Sequence, residues 1–156
     1  MLDAIALPLS EVPIALCDEH GLARRVHDRE GLTELQFHWW QEPAFLPVRF
    51  DGCLRILPWG CKLRRGSRFP LGGWVAVEQV KAGAVAGARP EPVVVPARLM
   101  HVNGIWVVVD IGLRGIVLYD PSRGPVVYLL SRPSTSYFRN MTNQSPTMPV
   151  LVDQVI

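Results

Sequence analysis

Between Trp59 and Trp74 the chain carries Lys62, Arg64, Arg65 and Arg68 and no acid. Cations of this kind follow phosphates, and indoles stack on bases, each stacked base contributing ~1–3 kcal/mol. The stretch therefore has the ingredients of a single-stranded nucleic-acid site: Trp59, Lys62, Arg64, Arg65, Arg68 and Trp74. Aromatic and Arg side chains are also enriched at protein–protein hot spots, so a protein partner fits the same residues. A third reading is a solvated loop whose Arg side chains pair with surface acids. Glu78 is the only acid between Asp51 and Glu91. Beside a basic loop it could serve as a catalytic general acid/base if burial raised its pKa, or it could simply pair with Lys81 or a loop Arg.

Other chemical signatures are missing. The chain has no GxxxxGK[ST], no GxGxxG after a strand, no HExxH, no CxxC and no GxSxG. Cys53 and Cys61, with His38 or His101, match no zinc-module spacing, so buried thiols and ordinary histidines are expected, with no metal and no cofactor. Cys17, Cys53 and Cys61 are odd in number and irregularly spaced. They read as reduced thiols of a cytoplasmic protein rather than a disulfide framework.

The elements that must hold this stretch are strands and turns. Asp51-Gly52, between Val48–Phe50 and Cys53–Leu57, predicts a hairpin, because the pair tolerates the positive φ of a type I′ turn. Gly73–Ala82 predicts a short helix ended by Gly83. Further strands are expected at 35–40, 93–95, 105–110, 115–119, 126–130 and 148–155. A turn is expected at 120–124, and a helix over 134–141 capped by Ser134. Gly21 and Gly31 bracket a third short helix. Residues 1–16 read as an apolar lead segment in which Pro8 and Pro13 prevent a long helix.

Composition agrees with this reading. The chain has 156 residues, 49% hydrophobic and 19% charged, with 14 Pro and 13 Gly. That suits a single domain over 1–156 with a real core and many turns. Its main parts are the hairpin, basic loop and short helix at 48–78 and a largely β-stranded 93–156. The fold class expected is α+β: a mixed or antiparallel sheet curled into an open β-barrel, with two or three short helices. A formal charge of +2 demands no polyanionic partner. No apolar run approaches the ~20 residues of a membrane-spanning helix, and the N-terminus lacks a basic region before its apolar stretch, so neither a membrane partner nor a signal peptide is expected.

The order of features resembles the SOS-response-associated peptidase family, the abasic-site-binding proteins. Leu54–Gly60, LRILPWG, is similar to that family's early LRWG strand and turn. Gly73-Trp74 followed by Glu78 is similar to its Gly-aromatic-aromatic-Glu-Trp segment. Thr147–Val152, TMPVLV, is similar to its RMPVIL strand, and Tyr128–Ser131 sits where the family has the strand before its last helix. The resemblance implies a barrel-like fold and a DNA-facing basic groove. That family traps the aldehyde of an abasic site with an amino-terminal Cys, assisted by Asn, Glu and His. Here position 2 is Leu2, the Asn has no match between Gly60 and Gly73, and the His would fall near Ser145. Only Glu78 answers to the Glu. The implied function is a single-stranded or damaged-DNA-binding module without thiol chemistry. The alternative is a small accessory or inhibitory protein of a mobile element, such as a phage, that binds a protein partner.

Overall fold

In the computed structural model, which describes residues 1–62 and 69–153, the N-terminal segment is a strand, β1 (Leu2–Pro8). Most of its residues are buried, from both faces, which is why it reads as an unbroken apolar run. A short helix α1 (Ile14–Glu19) and a 3-10 turn at Leu22–Arg25 follow. The chain then forms β2 (Val26–Arg29) and β3 (Leu32–His38). The segment bracketed by Gly21 and Gly31 thus divides between a single 3-10 turn and the first strand of a hairpin, and the expected helix does not extend beyond Arg25. Glu30 and Gly31 both take positive φ, of 49° and 83°, and turn the chain back before helical spacing can matter.

Next come β4 (Phe45–Phe50) and β5 (Cys53–Pro58), joined by Asp51 and Gly52 at φ 52° and 74°. This is the hairpin its sequence predicts. The stretch expected to be helical from Gly73 begins instead as β6 (Trp74–Ala76) and only then becomes α2 (Val77–Lys81), which ends at Gly83 with φ 82°. The remaining elements are β7 (Glu91–Val95), β8 (Leu99–Val102), β9 (Ile105–Val108), β10 (Leu113–Asp120), β11 (Gly124–Pro133), α3 (Ser136–Met141) and β12 (Thr147–Pro149). Helix α3 is capped by Thr135, whose Oγ1 accepts from the Phe138 N–H at 3.1 Å, and not by Ser134. No helix among the described residues is long and apolar enough to cross a membrane.

The strands make two sheets. One has five strands in the order β2-β3-β1-β8-β9; the other runs β12-β11-β10-β7-β4-β5, with β6 added in parallel to β11. The fold is therefore α+β with mixed strand directions, as expected, but neither sheet closes into a barrel. The second sheet curls until Trp59, just past β5, bridges Val127 of β11, and it goes no further. Leu46, Val48, Val95, Leu113, Val127 and Leu129 face Ile5, Leu7, Leu35 and Phe37 in the main core. The alternate residues Ile116, Leu118, Val126, Tyr128 and Leu130 form a second cluster on the far side, against which Val77 and Val80 of α2 pack. With β10 and β11 buried on both faces, their sequences lose the polar alternation that would mark a half-exposed strand.

The basic stretch grows from a tightly built base. Trp59, 2% exposed, donates its Nε1–H to the Gly73 carbonyl at 3.0 Å. Cys61 and Gly72 exchange backbone hydrogen bonds of 2.9 and 2.6 Å. A methyl group on Gly60 would collide with the Gly72–Gly73 backbone, and one on Gly73 with the Trp59 indole. Replacing Trp59 by Ala opens a cavity and removes the donor, and should cost about 3–5 kcal/mol of unfolding free energy. Trp59→Phe, which removes chiefly the hydrogen bond, should cost about 1–2 kcal/mol. Urea denaturation monitored by circular dichroism measures both; a neutral Trp59→Ala would show that the ring is not structural.

Candidate nucleic-acid interface

Among the described residues of the predicted site, Trp59, Lys62 and Trp74 do not share one surface. Trp59 is sunk in the core, edge-on between Trp39 (5.3 Å between ring centroids) and Trp74 (6.5 Å). It has no free face for a base, and the picture of two surface indoles is corrected: only the half-buried Trp74 retains any access. Lys62 is exposed, but its Nζ lies 4.7 Å from the Trp39 ring and 2.9 Å from Glu42 Oε1, so its charge is already matched. Arg64, Arg65 and Arg68 fall outside the described residues. The ends of their segment are fixed. Tyr128, fully buried, donates its hydroxyl to the Pro70 carbonyl at 2.9 Å, and Arg123 holds the Gly60 carbonyl at 3.2 Å.

Glu78 stands at a cleft of about 350 Å³. Ala76 and Lys81 line it from the β6–α2 side, Ser131 and Arg132 from β11, and Thr147 and Val150 from the C-terminal strand region. The parallel pairing of Ala76 with Ser131 and the antiparallel pairing of Arg132 with Met148 bring these three segments together. Glu78 is exposed, so the burial on which a general acid/base role depends is missing. No carboxylate–cation pair within 4.0 Å involves Glu78 among the described residues, so the expected pairing with Lys81 is not formed either. What the cleft offers is one carboxylate, two cations (Lys81 and Arg132) and the hydroxyls of Ser131 and Thr147. Such a set suits a polar, anionic ligand held at its rim. Sequence reasoning missed Lys81, Ser131 and Arg132 as site residues. The one available signal was Arg132 at the end of the apolar run YLLS.

A second concave surface was not anticipated. On the outer face of the five-stranded sheet, β1 presents the small side chains of Ala4 and Ala6, cross-strand from His38 and Gln36. Longer side chains close over them. The Arg29 guanidinium of β2 lies 4.6 Å from the Trp106 ring of β9, although those two strands are the opposite edges of the sheet. Four strand spacings span roughly 19 Å in a flat sheet, so the face must curl for these groups to meet. Arg29 grips Glu34 with two bonds of 2.8 and 3.0 Å, and Gln36 donates its Nε2–H to Glu34 at 2.9 Å while its Oε1 accepts from His38 Nε2 at 2.9 Å. His101 Nδ1 lies 2.6 Å from Asp3. Below this network an apolar groove of about 820 Å³ runs past Leu9, Val12, Ile14, Leu32 and Leu99. Ile14 and Leu32 are 79% and 75% exposed. No group of His, Cys, Asp or Glu among the described residues could hold a metal ion.

No family model matches the chain, and neither does any curated protein or solved structure.

Burial pushes the Glu34 carboxyl upward, but the hydrogen bonds from Arg29 and Gln36 outweigh it and hold it below the usual value. A carboxyl depressed on folding stabilises the protein above its unfolded pKa of about 4.3, and that stability is lost as pH falls through the folded value. Arg29→Ala should therefore cost about 1–2 kcal/mol at pH 7, with the deficit shrinking in acid once Glu34 is protonated. Urea titrations of both proteins at pH 7 and in acid check this; an equal deficit at both would mean that the ion pair is not its source.

Proposed function

We propose that this chain is a single-stranded nucleic-acid-binding module related to the abasic-site-binding family, without that family's thiol chemistry. The observation that carries the reading is the cleft at Glu78. The segments that resemble the family, Gly73–Glu78, Tyr128–Ser131 and Thr147–Val152, are far apart in sequence, yet each contributes to its walls. Lys81 and Arg132 supply positive charge there, and Cys61, which precedes the basic stretch in the sequence, is hydrogen-bonded to Gly72 shortly before β6. Leu2 is buried in the main core and carries no thiol. Damaged or single-stranded DNA is then held non-covalently, by phosphate contacts and by what Trp74 still exposes.

Binding of this kind weakens steeply with salt, with a slope of about −0.7 per neutralised phosphate on single strands. Fluorescence anisotropy with a labelled single-stranded oligonucleotide tests it at two salt concentrations. Lys81→Ala with Arg132→Ala, and separately Arg64→Ala with Arg65→Ala, should each weaken binding about five- to tenfold and flatten the salt slope. Unchanged affinity in both double variants, or no binding by the parent chain at low salt, would refute the proposal.

The second reading, an accessory or inhibitory protein that binds a protein partner, is favoured by the apolar groove on the five-stranded sheet. Exposed apolar surface of that kind is characteristic of recognition sites. A partner retained in a nuclease-treated pull-down and lost on Leu32→Asp would favour it over DNA.

A further inference from the structure

The edges of the two sheets are not alike. On β2 the edge carries His27, Asp28 and Arg29; on β12 it carries Pro149; on β5 it carries Arg55 and Pro58. Charges and prolines of this kind keep an edge from recruiting another strand. Of the other two edges, β6 has only three residues, whereas β9 reads Ile105-Trp106-Val107-Val108 and contains neither charge nor proline. Val108 is 72% exposed and Ile111, just beyond, 60%.

The hydrogen-bond phase of the sheet shows what this edge offers. The Trp39 N–H donates to the Asp3 carbonyl at 2.8 Å, which turns the backbone groups of Asp3, Ile5 and Leu7 toward β3 and those of Ala4 and Ala6 toward β8. Leu99 and His101 must then face β1, leaving Met100 and Val102 to pair with Val107 and Ile105. The Val109 N–H, which donates to the Arg98 carbonyl at 2.8 Å, has the same phase. The N–H and C=O groups of Trp106 and Val108 therefore point out of the sheet, and neither residue has a further backbone partner among the described residues.

We propose that β9 is the seam of a homodimer, in which two copies pair antiparallel through this strand about a two-fold axis normal to the sheet. Centring the axis on Val107 sets Trp106 against Val108 of the partner subunit, and the reverse. All outward groups of both residues are then used, in four interchain hydrogen bonds. The side chains keep their faces, because Trp106 and Val108 both lie on the concave side of the sheet. A two-fold contact sets a surface against itself, so a charge near the axis would meet its own copy. No charged residue lies between Ile105 and Val109, and the Arg29 guanidinium over the Trp106 ring is already paired with Glu34. The occupant that fits this phase and this neutrality is the strand itself.

The seam is short, so association is weak, half-complete at about 10–100 µM. Sedimentation equilibrium over that range should show a monomer–dimer equilibrium. Val108→Pro removes an N–H that has no backbone partner among the described residues, at an edge position that tolerates proline. It should raise the dissociation constant at least about tenfold, with the far-ultraviolet circular dichroism and melting temperature of the parent retained. Hydrogen exchange gives an independent readout. The Trp106 and Val108 amides of the parent chain should be protected at high concentration and exchange freely on dilution, while the Val107 amide stays protected throughout. A parent chain that is monomeric at about 300 µM, a dimer unaffected by Val108→Pro, or concentration-independent exchange at Trp106 and Val108 would each overturn the proposal.

Discussion

One buried hydrogen bond sets the geometry of the region between residues 59 and 78: the Trp59 indole N–H to the Gly73 carbonyl. It joins the end of β5 to the start of β6 across the base of the basic stretch. The approach is possible only because Gly60 and Gly73 have no side chains. Once the two backbones touch, Gly60 is close enough to donate to Val127, and the Gly73 carbonyl accepts from Leu129 as well. β6 is thereby laid along β11, and α2 leaves it in the one place that puts Glu78 and Lys81 opposite Arg132. An indole that completes the main core also aligns the strand leading to the cleft.

That arrangement explains which parts of the sequence could be read in advance. The hairpin at Asp51-Gly52 and the turn at 120–124 were legible because their backbone demands positive φ or an Asx-type turn, and few residues supply it. Helix α3 was legible too, to within one residue of its cap. Residues 1–16 were opaque. A strand at the centre of a sheet has no polar alternation, so β1 looks like any apolar run. The Gly21–Gly31 segment misled because the polar residues His27, Asp28 and Arg29 of β2 resemble a solvated helix face, whereas they mark an exposed edge strand. Sequence also fixed no distinction between one curled sheet and two packed ones, since that choice depends on long-range pairings such as Ala4 with both His38 and His101.

The candidate site was legible only in outline. Trp59 was assigned to a surface because it lies beside cations, yet proximity in sequence says nothing of which way a ring turns. Gly60 and Gly73 were the informative residues, for a glycine often marks a site where another backbone or ring approaches closely. Glu78 was singled out for its isolation among basic residues, and it does stand at a cleft. The residues that give this cleft its character, Ser131 and Arg132, arrive from a strand more than fifty positions later. Such a constellation is created by the parallel β6–β11 pairing and has no local signature.

Strand β11 has a part in both places. Tyr128 clasps Pro70 at the root of the basic stretch, and Ser131 and Arg132, on the same strand, form a wall of the cleft. Between them lies one short piece of backbone, hydrogen-bonded to neighbours and enclosed by apolar side chains on both faces. Root and wall are in effect mounted on a common rail, so whatever spans the two meets a fixed separation rather than an adjustable one.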